Sequence, residues 1–184
     1  SQSGALGTAM LDWSIKNNIG FSHFVSIGSM VDINFTDLIA YFKDDKNTSS
    51  ILIYMESLVD ASRFLEVAKK VSIKKPIIVI KTGRSEAGSK AAKSHTGSLT
   101  GNDAVFSAAF TKVGVVRVDS IEDFFNIAKV LANQPRPEGK KLAIVTNAGG
   151  VGVVAADSLV YSGGQLALLD KQTLEALNKI LPSA

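Results

Sequence analysis

The sequence lacks cysteine, has only two histidines and contains no long apolar run. Without cysteine there are no disulfides and no thiolate metal sites. The two histidines, His23 and His95, are too few for an all-histidine metal site, and we predict no metal centre within the chain. No stretch approaches the ~20 apolar residues that a membrane-spanning helix needs, so we predict no membrane segment.

Charge is nearly balanced, with 20 basic and 17 acidic residues among 184. The basic residues are dispersed rather than gathered into a stripe with interleaved aromatics, which argues against nucleic-acid binding. With 46% apolar residues, the chain can bury one good core and part of a second. No basic, apolar, small-residue leader opens it, and we expect a cytoplasmic protein.

Short apolar runs alternate with helical patterns along most of the chain. This order predicts βαβ units and an α/β fold with a flavodoxin-like, doubly wound parallel sheet. The predicted strands are "HFVSIG", "SILIYM", "PIIVIK" and "VVRV". Thr36 and Ser120 are predicted to cap the helices that follow them, and two further helices are predicted to start at Asp60 and at about Asn102. The segment 82–101 is predicted as a loop.

Residues 133–141, "NQPRPEGKK", hold two prolines and a glycine, which predicts a linker between a first domain at 1–132 and a second at 142–184. The second begins with the same pattern of strand, glycine turn and helix. It aligns without a gap to the start of the chain at an offset of 145 residues, with three identities: Gly4 with Gly149, Gly7 with Gly152, and Asp12 with Asp157. We therefore expect a duplicated unit, a first domain without its first strand, and a fragment of a longer protein.

The opening turn, "SQSG", leads into a helical pattern. Backbone N–H groups at a helix start can bind an anion, and the positive helix end favours one. The alternative is a tight strand-to-helix turn that needs glycine for close packing and binds nothing. The residue types leave both interpretations open.

Glu56 follows the apolar run "SILIYM", at the strand end where open α/β sheets place their ligands. His95 lies in the segment after "PIIVIK" and can reach the same edge. A neutral imidazole can attack phosphorus through one nitrogen while the other holds its proton against a carboxylate. The alternatives are a solvated turn acid and a surface loop histidine.

Small hydroxyl residues and glycines surround His95, beginning with Thr96 and Gly97. They let the backbone approach a bulky anion closely and donate to it. Lys81, Arg84 and two further lysines make the same segment basic, although we expect most of these side chains to be solvated. This composition favours a phosphate over a metal ion or an apolar core as the neighbour of His95.

The chain resembles the nucleoside diphosphate-forming acyl-CoA synthetases, and within them the ADP-forming acetyl-CoA synthetases, which are related to the succinyl-CoA synthetase α subunit. The resemblance extends over nearly the whole chain. Its motifs are, in order, "SQSGALGTAMLDW", "SIG" followed by Asp32 and Asn34, "YMES", "AAKSHTGSLTGND" and "TNAGGVGVVAADSL".

The resemblance implies a CoA-ligase domain in which His95 carries a phosphoryl group and Glu56 orients its ring. It also implies a phosphate site formed by the opening turn and the histidine motif, at Ser1, Gln2, Ser3, Gly4, Thr96 and Gly97. The implied reaction converts acyl-CoA, ADP and phosphate into a free acid, CoA and ATP.

Coenzyme A, ADP or ATP, Mg²⁺ and phosphate are the implied cofactors and substrates. A CoA-binding Rossmann domain and an ATP-grasp domain or subunit are the implied partners, in an oligomeric enzyme acting on a small carboxylic acid. Without these domains we expect this chain to be inactive. Two alternatives stay open: a regulatory synthetase-like region of a protein lysine acetyltransferase, and a non-catalytic flavodoxin-like domain that binds a nucleotide or flavin.

Overall fold

The structure is a computed structural model that describes residues 1–96, 102–135 and 137–181, and within 92–96 only the backbone. The chain forms two compact units, residues 1–135 and 136–184. The division falls inside the segment predicted as a linker. Each unit is described by itself.

A parallel sheet forms the centre of the first unit. Its strands are β1 (Ile51–Met55), β2 (Ile77–Lys81) and β3 (Val116–Val118), in the order β1-β2-β3. Branched aliphatic residues dominate these runs and suit a sheet that is covered on both faces. The register places Ile51 beside Ile77 and Ile80 beside Val118.

Helices connect the strands and cover the sheet. In the first unit they are α1 (Gly4–Lys16), α2 (Phe35–Phe42), α3 (Ala61–Ser72), α4 (Glu86–Thr96), α5 (Asp103–Lys112) and α6 (Ile121–Asn133). The predicted cap Ser120 accepts a backbone hydrogen bond at the start of α6. Asp60 and Asn102, where helices are predicted to start, are likewise the caps of α3 and α5.

Alternate residues of each strand enter two separate apolar clusters. Ile53 and Val79 pack with side chains of α2, α3 and α5, including the fully buried Phe64. Ile78 and Ile80 pack with residues of α1 and α6. Because neighbouring strand residues point to opposite faces, these clusters form one layer on each side of the sheet. The predicted doubly wound α/β fold is confirmed.

The cap of α2 differs from the prediction. Asn34, not Thr36, caps the helix: its side-chain oxygen accepts from the Thr36 and Asp37 amides, and the Asp37 carboxylate accepts from the Asn34 amide. This reciprocal capping box satisfies more helix-start amides than a threonine two residues later could.

The predicted strand "HFVSIG" does not form. The Ser1 nitrogen donates to the Val25 carbonyl at 2.8 Å, and the Ile27 amide donates to the Ser1 carbonyl at 2.9 Å. These two bonds make a single parallel bridge, whereas a strand requires a continued ladder.

The predicted loop 82–101 is also wrong over much of its length, because residues 86–96 form α4. Glu86, Ala87, Lys90 and Ala91 are good helix formers. The Ser85 hydroxyl accepts from the Gly88 amide at 3.0 Å, which satisfies one amide at the helix start. Residues 97–101 lie outside the described part of the chain.

The second unit contains a parallel pair of strands and two helices: β4 (Lys141–Leu142), α7 (Gly149–Tyr161), β5 (Gln165–Leu166) and α8 (Lys171–Asn178). Both strands are short, since only two residues of each pair with the other. α7 begins and ends at the offset of 145 residues from α1. The repeat differs at its cap, because Ala148 stands where Ser3 caps α1.

None of the helices in the described ranges is both long and apolar enough to cross a membrane.

We predict that Asn34→Ala lowers the free energy of unfolding by about 1 kcal/mol, because α2 loses its capping box. The nearly isosteric Thr36→Val change should cost less, since the Thr36 hydroxyl is not the cap. Urea titration of both variants measures the difference. A larger loss for Thr36→Val would contradict the assignment of Asn34 as the cap.

Candidate functional site

The carboxyl ends of the three strands lie side by side. Met55 pairs with Lys81 at the ends of β1 and β2, and Ile80 pairs with Val118 at the end of β3. The Thr82 amide continues this pairing by donating to the Met55 carbonyl at 3.0 Å. Glu56, the residue after β1, therefore lies at the sheet edge where parallel α/β folds bind ligands.

Gln2 joins the opening turn to this edge. Its side-chain oxygen accepts from the Glu56 amide at 2.7 Å and from the Ser57 amide at 3.0 Å. Its side-chain nitrogen donates to the Ser57 hydroxyl at 3.0 Å, and its backbone amide donates to the Tyr54 carbonyl at 3.3 Å. One side chain thus positions the backbone on which Glu56 stands.

The turn itself leaves the start of α1 open. Ser3 is the N-cap, and its hydroxyl accepts from the Leu6 amide at 3.2 Å. The Ser1 hydroxyl steadies the turn by donating to the Ser3 carbonyl at 2.7 Å. Gly4 and Ala5 are exposed, and their amides are among those that an α-helix cannot satisfy internally. With the positive end of the helix behind them, these amides can receive an anion.

Glu56 is only 9% exposed, although it is a carboxylate. Its charge acts on the neighbouring Tyr54, whose pKa is raised chiefly by burial and further by Glu56. A carboxylate at this edge of the sheet can accept a hydrogen bond from a ring N–H, and the orientation of the His95 imidazole by Glu56 stays a prediction.

Most basic side chains of this segment are predicted to be solvated, but Lys81 is only 3% exposed. Its ammonium group donates to the Glu56 carbonyl at 2.9 Å and to the Thr82 carbonyl, and it lies 4.9 Å from the centre of the Phe106 ring. Burial lowers the pKa of Lys81 most, followed by the charge of Arg117, while Asp103 and Glu56 act in the opposite direction.

A second group of charged side chains connects the segment before α4 to α5 and β3. Asp103, at the start of α5, accepts a hydrogen bond from Arg117 of β3, and this bond is the main cause of its lowered pKa. Arg84, two residues before α4, lies 3.5 Å from the Asp103 carboxylate through its Nε and also pairs with Asp119. Arg84 is therefore paired to the same sheet edge rather than simply solvated.

His95 and Thr96 lie in the last turn of α4, and their side chains are outside the described part of the structure. Gly97 is outside the described residues. The structure thus brings together the opening turn and Glu56, while the approach of the His95 ring to them stays a prediction.

A cavity in the first unit has a different character. It measures about 390 Å³ and is lined mainly by apolar side chains such as Phe21, Phe35 and Phe124. Ser1 and Tyr54 border it, but Glu56 and Lys81 do not. We therefore place the candidate site at the strand ends rather than in this cavity. No group of three metal-ligating side chains that could hold an ion occurs in the ranges that the structure describes.

The contacts of two residues at the candidate site, Gln2 and Lys81, are not evident from the sequence. The sequence predicts phosphate binding for Gln2, and its described bonds run to the backbone at Tyr54, Glu56 and Ser57 and to the Ser57 hydroxyl. Lys81 was grouped with solvated cations, although it ends a run whose other members are all apolar. A lysine in a strand that is buried on both faces is the signal that could have marked it, since buried lysines are rare.

A parallel sheet with helices on both faces defines this chain as a doubly wound α/β protein. Residues 1–131 match the model of the succinyl-CoA ligase-like flavodoxin domain. The chain belongs to this family.

Two curated relatives are ADP-forming acetate–CoA ligases. The chain is 56% identical to the α subunit of ligase I of Pyrococcus furiosus over 163 residues, covering 89% of this chain and 35% of that subunit. It is 49% identical to the Methanocaldococcus jannaschii ligase over 182 residues, covering 99% of this chain and 26% of the relative.

A solved structure is similar over almost the whole chain. It is an acetyl-coenzyme A synthetase 1 from Ca. Korarchaeum cryptofilum, described as dinucleotide forming, in complex with phosphate and ADP. The TM-score is 0.91 at 41% identity, over 98% of this chain and 39% of that one. The chain therefore spans well under half of each of these relatives.

We predict that Gln2→Leu lowers the free energy of unfolding by about 2 kcal/mol, because the Glu56 and Ser57 amides lose their acceptor. Gln2→Glu keeps an acceptor oxygen and should cost less. Urea titration measures the loss, and hydrogen exchange should show faster exchange of these two amides in Gln2→Leu alone. Unchanged exchange in that variant would show that Gln2 does not hold this backbone.

Proposed function

We propose that this chain is the phosphohistidine-bearing part of an ADP-forming acyl-CoA synthetase, with His95 as the phosphoryl carrier. The observation that carries the proposal is the Gln2 contact, which fixes an anion-receptive helix start beside the buried carboxylate of Glu56. α4, which bears His95, follows the neighbouring strand β2 at the same edge.

Glu56 is proposed to orient His95. One ring nitrogen keeps its proton and donates it to the Glu56 carboxylate, which leaves the lone pair of the other nitrogen free to attack phosphorus. The carboxylate also stabilises the cationic ring that forms when the phosphoryl group is bound. The proposal needs an acid that is held in place, which agrees with the low exposure of Glu56.

The phosphate is proposed to lie over the start of α1. The exposed amides at Gly4 and Ala5 supply donors there, and the Ser1 and Ser3 hydroxyls lie in the same turn. Thr96 and Gly97 are proposed to complete the site from the histidine side. Gln2 contributes by fixing the turn, although the sequence motif assigned it to the phosphate directly.

The proposed reaction proceeds in balanced steps. Phosphate attacks the thioester carbonyl of acyl-CoA, releasing the CoA thiol and forming an acyl phosphate. His95 then attacks the phosphorus, the P–O bond to the acyl group breaks, and the free carboxylate leaves. Finally a terminal oxygen of ADP attacks the phosphohistidine, which forms ATP and returns neutral His95. Each step is reversible.

The partners are proposed from the relatives. The chain covers 35% and 26% of the two ligases above, which leaves room in such proteins for further domains. We assign CoA to a Rossmann domain, and the nucleotide with its Mg²⁺ to an ATP-grasp domain or subunit. Small carboxylic acids such as acetate are the proposed substrates, in an oligomeric cytoplasmic enzyme.

We predict that the full-length protein, incubated with γ-³²P-ATP and Mg²⁺, becomes labelled through an acid-labile, base-stable bond. His95→Ala should abolish the label, because the accepting nitrogen is lost. Quantitative autoradiography after acid and base treatment measures this. The label should also be discharged by ADP, as the reversible reaction requires.

His23→Ala is the matched control, since it removes the other histidine, which lies 3.6 Å from Asp45 and away from the strand ends. It should label like the unaltered protein. Equal labelling of the His95→Ala protein would contradict the phosphohistidine assignment, whereas an unaltered protein that takes up no label would favour a regulatory or non-catalytic role.

A further inference from the structure

Lys81 is a buried cation on which the carboxylates of Asp103 and Glu56 act from a distance. It is 3% exposed, and within the described part of the chain no carboxylate lies within 4.0 Å of its ammonium group. Arg117 adds a like charge nearby, and burial lowers the pKa of Lys81. A buried charge costs free energy unless it is paired and hydrogen-bonded. The hydrogen bonds of Lys81 to backbone carbonyls are therefore the contacts that account for a lysine at this place.

The contacts of Lys81 converge on Glu56. The ammonium group donates to the Glu56 carbonyl at 2.9 Å, while Gln2 accepts from the Glu56 amide at 2.7 Å. The backbone of one residue is thus held on both sides by side chains from different elements. The Thr82 carbonyl accepts a further bond from Lys81, which ties the end of β2 into the same group.

We propose that Lys81 is a positioning residue for phosphoryl transfer: by holding the Glu56 carbonyl, it sets the direction of the carboxylate that orients His95. This inference rests on the proposed function. Lys81 itself touches no reacting atom.

The geometry favours a lysine for this position. Residues 77, 79 and 81 alternate along β2 and therefore lie on the same face of the sheet. Ile77 and Val79 face the side that α5 covers. Lys81 likewise packs against Phe106 of α5, while Gln2 approaches Glu56 from the turn before α1. A long flexible stem that ends in three donors can reach two carbonyls from that side.

Lys75 provides a matched control within the same strand connection. Its ammonium group donates to the Phe42 carbonyl at 2.6 Å and also to the Asp45 carbonyl. It is therefore a second lysine that caps two backbone carbonyls. It precedes β2 and lies six residues before Lys81. In an extended chain this spacing is about 20 Å, at about 3.3 Å per residue.

The test compares Lys81→Met with Lys75→Met in the full-length protein. Rapid-quench assays with γ-³²P-ATP measure the rate of phosphohistidine formation, steady-state assays give kcat and KM for ATP, and thermal unfolding gives Tm. We expect Lys81→Met to slow phosphohistidine formation by about 10- to 100-fold, since small displacements of reacting groups have effects of this size. KM for ATP should stay within about twofold, because Lys81 acts on orientation and not on nucleotide binding.

Lys75→Met should label at the unaltered rate even if its Tm falls. Lys81→Gln is a second, polar variant for the case that Lys81→Met does not fold. Its phosphohistidine formation should be slowed in the same way. The inference is overturned if the Lys81 variants label at the unaltered rate, if their rate loss matches that of Lys75→Met, or if neither Lys81 variant folds. These outcomes are distinguishable from a failure of the proposed function, in which labelling does not depend on His95.

Discussion

The contact between the Gln2 side chain and the backbone at Glu56 and Ser57 is the interaction on which the candidate site depends. It joins residues 54 and 55 positions apart in the chain, at 2.7 and 3.0 Å. Without it, the helix start that can receive an anion and the carboxylate that can orient a base would be separate features. With it, they share one rigid edge of a parallel sheet.

Burial explains which elements the sequence could predict. β1 and β2 are apolar runs because both faces of the sheet are covered, and local caps such as Asp60 and Ser120 mark the helices that follow. "HFVSIG" has the same apolar character, yet its backbone makes one bridge through Ser1 instead of a ladder. Strand formation depends on partners that a local pattern does not contain.

The candidate site likewise combines features that the sequence predicts with features that it does not. Glu56 and the opening turn could be predicted because strand ends and helix starts are places where parallel folds bind ligands. The roles of Gln2 and Lys81 could not, because each depends on a contact with the Glu56 backbone, 54 and 25 residues away in the chain. The placement of His95 on a helix was missed because its serine and glycine neighbours resemble those of a loop.

A crystal structure of the full-length protein with phosphate bound tests the central claim most directly. The account predicts a phosphate oxygen within hydrogen-bonding distance of the Gly4 or Ala5 amide. It also predicts a His95 ring with one nitrogen facing that phosphate and the other within hydrogen-bonding distance of the Glu56 carboxylate. An ordered His95 ring that lies farther from Glu56 than a single water can bridge would contradict it.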